Sequence, residues 1–90
     1  MRQPGIDRAA KNAFFAALSK IKSQVDFEHF MRDLMSSSEI KDLSRRFYAA
    51  KLLRQGKTYQ DVNTVMGMSQ GTINKINFKT KGSRIIPDLI

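Results

Sequence analysis

Apolar residues recur along this chain at three- and four-residue intervals, and no stretch alternates as a strand does. Ala10, Ala13, Phe14, Ala17, Leu18 and Ile21 fall on one helical face, with Asp7 placed to cap the helix that carries them. Ser23 and Gln24 interrupt that pattern. Phe27, Phe30, Met31, Leu34 and Met35 predict a second, shorter helix with Asp26 as its cap. Ser36 is followed three residues later by Glu39, the spacing of a capping box. The helix it opens runs to about Gln55, with Ile40, Leu43, Phe47, Ala50 and Leu53 inward and Gly56 as its stop.

Beyond Gly56 the elements shorten. Thr58 opens a helix to Met66, Gly67 breaks it, and Ser69 opens another to about Thr80. Gly82 ends the regular part, and the tail Ile85, Ile86, Leu89 and Ile90 suits a docking strap. The pattern is all-α, with five or six helices. It divides into an N-terminal arm (1–5), the N-terminal helices (6–56), a helix-turn-helix segment (57–81) and a C-terminal tail (82–90).

A helix, a glycine turn and a second helix within about 20 residues form the helix-turn-helix layout. Val62 and Met66 are the inner face of its first helix, and Ile73 and Ile76 that of the second. Gly67 suits the turn, where a positive φ is needed, and Met68 plugs the turn into the core. Asn63, four before the turn glycine, stands where a small apolar residue is more usual. Gln70, Gly71, Thr72, Asn74 and Lys75 are left outward on the second helix. Amide, hydroxyl and ammonium groups of this kind bond base edges, and the glycine lets backbone approach the duplex. Lys57, Thr58, Gln60, Ser69, Lys79 and Lys81 are the expected phosphate contacts. Tyr59 either joins them through its hydroxyl or packs inward.

Charge points to the same surface. The 90 residues hold 16 Lys and Arg against 8 Asp and Glu, a net charge of +8. No acid occurs between Asp61 and Asp88, whereas Lys75, Lys79, Lys81 and Arg84 lie inside that gap. A polyanion is the partner such a face suits. The absence of cysteine and the single histidine, His29, exclude thiol nucleophiles and multi-histidine or cysteine metal sites. His29 is read as a surface residue, and Asp26, Glu28 and Asp33 as cap and solvated face. No nucleophile–base pair or glycine-rich phosphate loop is present, so no enzyme is expected. No apolar run approaches the ~20 residues of a membrane span, and the N-terminus lacks a signal-peptide core. A cytoplasmic protein is expected.

Leu34 to Ile76, reading LMSSSEIKDLSRRFYAAKLLRQGKTYQDVNTVMGMSQGTINKI, resembles the Trp repressor-like superfamily, in particular its YerC/YecD-type branch. The resemblance implies an intertwined homodimer, built through the N-terminal helices, that sets its two reading helices into successive major grooves of operator DNA. An exchanged core would also house Phe14, Phe15, Phe27, Phe30, Phe47 and Tyr48, many aromatics for a chain this size. The Trp repressor proper holds its corepressor with an arginine on the long helix and an arginine followed by glycine on the reading helix. Arg46 matches the first, or Arg45 if the gap is placed differently. Lys75 stands at the second and Ile76 at the glycine. Ile76 fills the space an indole needs, so tryptophan is not expected as a corepressor and no cofactor is expected. Arg46, Lys75 and Ile76 mark where an effector pocket would lie, and Arg46 suits an ion pair or a phosphate contact instead.

The function expected is sequence-specific DNA binding by a homodimeric transcriptional regulator, read as a repressor, on a palindromic operator. The alternative is an RNA- or protein-binding helical adaptor on the same scaffold.

Overall fold

A computed structural model describes residues 2–90. Among them there are six helices and no strand: α1 (Ile6–Ser19), α2 (Gln24–Leu34), α3 (Ser37–Arg54), α4 (Tyr59–Met66), α5 (Gln70–Thr80) and α6 (Ile86–Leu89). The chain forms two compact units, one ending at Ser37 and one from Ser38 to Ile90. The all-α architecture read from the sequence is the one observed, and the tail adds its sixth helix.

In the first unit the caps differ from those expected. Gly5, in the left-handed region at φ 78°, stands at the N-terminus of α1, and no side chain caps it. Asp7 lies within the first turn and pairs with Arg2 at 2.5 Å. Helix α2 is capped by Ser23, whose hydroxyl accepts the Asp26 N–H at 3.1 Å. Asp26 therefore sits one turn inside, where its charge complements the helix dipole. Phe14 stacks on Phe30 with ring centroids 6.1 Å apart. No residue of α1 or α2 is buried; Phe15 is 59% exposed and Leu34 59%.

The second unit has the core. Ala49, Ala50 and Leu53 of α3, Val62 of α4, and Ile73 and Ile76 of α5 are buried together. Leu52, Tyr59, Met66 and Met68 pack around them. Helix α3 ends in a Schellman arrangement: Gly56 at φ 89° donates to the Leu53 carbonyl, and Lys57 donates to the Leu52 carbonyl at 3.0 Å. Leu43 and Phe47, expected inward, remain 43% and 40% exposed, outside the core that Ala49, Ala50 and Leu53 form with α4 and α5. Ser83 starts α6 by accepting the Ile86 N–H at 3.1 Å.

Candidate nucleic-acid interface

Helix α4 begins where the sequence places it. The Thr58 hydroxyl accepts the Asp61 N–H, and the Asp61 carboxylate accepts the Thr58 N–H, both at 3.0 Å. This is a complete capping box. The Thr58 backbone N–H, then the Thr58 side chain, with Lys57 nearby, lower the Asp61 carboxyl below its ordinary value. Gly67 closes α4 at φ 67° and donates to the Asn63 carbonyl at 2.8 Å. The unusual Asn63 has a specific use: its Nδ2 donates to the Met68 carbonyl at 2.6 Å, tying α4 to the turn. Ser69 then caps α5, accepting the Thr72 N–H at 3.2 Å while donating to the Thr72 hydroxyl at 3.0 Å.

With Ile73 and Ile76 buried, the opposite face of α5 points to solvent. Gln70, Gly71, Thr72, Asn74, Lys75 and Lys79 are all exposed, as are Lys57, Thr58, Gln60 and Ser69 before them and Lys81 after. Lys81 lies over the exposed Phe78 ring, 5.0 Å from its centroid. The face thus combines hydrogen-bonding groups with cations and lacks carboxylates from Gln70 to Lys81.

Gly71 has open space where a Cβ would stand. Nothing inside the free protein requires glycine there. Gly71→Ala should therefore stabilise the fold by about 0.5–1 kcal/mol, since alanine is the better helix former. The same change should weaken duplex binding if this backbone lies against DNA. Denaturation and binding titrations on one preparation would check both signs.

A chain of polar side chains crosses the unit beneath this face. The Arg54 guanidinium on α3 donates to Asn77 Oδ1 on α5. Asn77 Nδ2 donates to the Tyr59 hydroxyl on α4 at 3.0 Å, and that hydroxyl donates to Asn74 Oδ1 at 3.1 Å. Tyr59 is half-buried and packs against the core, so of the two roles open to it the structure displays the packed one. Arg45, next to Arg46, donates to the Met66 carbonyl and satisfies the C-terminus of α4. Arg46 itself is exposed. Of the three effector-pocket positions, Ile76 is a core residue, 6% exposed, and Lys75 lies on the outer face. Arg45, Arg54 and Asn77 are structural participants that spacing did not single out. Their partners lie 18 to 23 residues away, and no local pattern marks such pairs.

The model of the Trp repressor protein family matches residues 9–85. The chain belongs to the Trp repressor family. That match runs through both units and includes the whole helix-turn-helix, and the family is one of DNA-binding regulators. A Bacillus subtilis (strain 168) protein named uncharacterized protein YerC is 32% identical over 62 residues. The aligned segment covers 69% of this chain and 60% of that protein. This similarity puts the chain on the YerC side of the family. No solved structure matches the chain. Among the described residues no helix is long and apolar enough to cross a membrane.

Proposed function

We propose that this Trp repressor family member is a homodimeric, sequence-specific DNA-binding repressor acting in the cytoplasm. The observation that carries the reading is the outer face of α5: a serine-capped helix whose amide, hydroxyl and ammonium side chains are exposed to meet a duplex. Helix α5 enters the major groove. Gln70, Gly71, Thr72, Asn74 and Lys75 face base edges, and Lys57, Thr58, Tyr59, Gln60, Ser69, Lys79 and Lys81 hold phosphates or position those that do. The exposed apolar residues of α1, α2 and the N-terminal half of α3 support a second copy as partner. Two reading helices then address half-sites about one helical turn apart, roughly 34 Å, on a palindromic operator. Tryptophan has no part in this reading, because Ile76 belongs to the core.

Selection from random oligonucleotides should return a palindrome. On that site Asn74→Ala should cost about 1–3 kcal/mol and leave random duplexes unaffected. Lys79→Ala should weaken all duplexes alike and reduce the slope of log K against log salt by about 0.9. Equal losses for Asn74→Ala on selected and random DNA would remove it from base reading. Displacement of the selected duplex by RNA at fixed salt would favour the adaptor reading instead.

A further inference from the structure

We infer that Arg54, half-buried behind the reading helix, fixes which way the Asn74 carboxamide faces and so sets which base edges Asn74 accepts. The inference rests on α5 being the DNA-reading helix. Its basis is the direction of the hydrogen bonds from α3 to the outer face of α5. Arginine offers only donors. The group it meets on Asn77 must therefore be the oxygen, and the contact is to Asn77 Oδ1. The Asn77 amide then has its NH2 toward Tyr59, and Nδ2 donates to the hydroxyl at 3.0 Å. A phenol has one proton. With its oxygen accepting from Asn77, that proton goes to Asn74, whose Oδ1 receives it at 3.1 Å. Each link leaves the next one orientation, and Asn74 ends with Oδ1 toward Tyr59 and its NH2 on the free side.

The consequence is chemical. A freely turning asparagine can offer an acceptor to the N4 amine of cytosine as readily as a donor to a purine N7. Held by Tyr59, Asn74 leads with its NH2. It suits edges that show an acceptor, the N7 of either purine or the O4 of thymine, and it opposes cytosine, whose edge shows only a donor. Arg54 and Asn77 are thus positioning residues for specificity, and they need not touch DNA.

The test uses the full chain and two substitutions that preserve bulk, Tyr59→Phe and Arg54→Met, with Arg54→Lys as a conservative control that still only donates. In free protein, the side-chain amide and Cγ resonances of Asn74 should move in Tyr59→Phe and in Arg54→Met, and return toward wild type in Arg54→Lys. On the selected operator, cytosine at the position that Asn74→Ala identifies should be disfavoured by wild type about fivefold or more, a modest share of a base contact. Both substitutions should erase that discrimination, and Arg54→Met, at a residue given no DNA contact, should change affinity for random duplex less than about twofold. Adding Tyr59→Phe to Asn74→Ala should cause no further loss of selectivity. Asn74 resonances unmoved by both variants would overturn the inference even if wild type binds its operator. A loss spread evenly over all operator positions would overturn it too. Resonances that move in a protein selecting no duplex would leave the orientation standing and reject the DNA-binding reading.

Discussion

Ile73→Ala should lower the stability of the residue 38–90 unit by about 2–5 kcal/mol, the range for removing a buried aliphatic side chain. Ile73 is fully buried at the meeting of α3, α4 and α5, and only five other residues share that core. A domain this small has little to lose, since even ordinary domains are stable by only about 5–15 kcal/mol. Chemical denaturation followed by circular dichroism would measure the change. A shift below about 1 kcal/mol would mean that α5 is held by something other than this core. Loss of DNA binding in this variant would carry no information about base contacts, because the presenting helix itself would be melting.

Phe47→Asp should convert the proposed dimer into monomers. Phe47 lies on α3 outside the core shared with α4 and α5, and its 40% exposure leaves a large apolar ring in water. Its removal should spare the core, which takes Ala49, Ala50 and Leu53 from the same helix. A carboxylate placed in an apolar interface is not tolerated without a partner. Sedimentation should show the halving of mass. Affinity for the palindrome should fall by about 10²–10⁴, the gain that linking two binding modules confers, with binding to an isolated half-site retained. A dimer that persists in Phe47→Asp would place the subunit contact on another surface.

How legible these features are depends on how far apart their parts lie. Thr58 with Asp61 and Ser69 with Thr72 are each three residues apart, so a reader of the sequence meets both halves of the cap together. Gly67 is legible because a left-handed turn leaves few alternatives to glycine. Asp7 and Asp26 misled for a related reason: an acidic residue serves as well inside the first turn as at the cap, and the sequence does not separate the two. Asn63 looked out of place because the bond it makes to Met68 depends on where the turn carbonyl ends up.

The burial of the aromatics was legible only in part. Helical spacing says that Phe14, Phe27, Leu43 and Phe47 share faces, and it cannot say which molecule covers them. One chain leaves them exposed by 39 to 43%.

The sequence by itself determined the approximate extents of the first five helices, the caps of α4 and α5, the turn between them and the polar make-up of the outer face. All of these arise from interactions spanning three or four residues, where backbone geometry leaves few choices. Only the tertiary structure decided that Arg45 closes the end of α4 and that Arg54 reaches Asn74 through Asn77 and Tyr59. Those depend on helix crossing and on rotamers chosen by packing. A hydrogen bond between residues 15 to 23 positions apart exists only once three helices have set their angles.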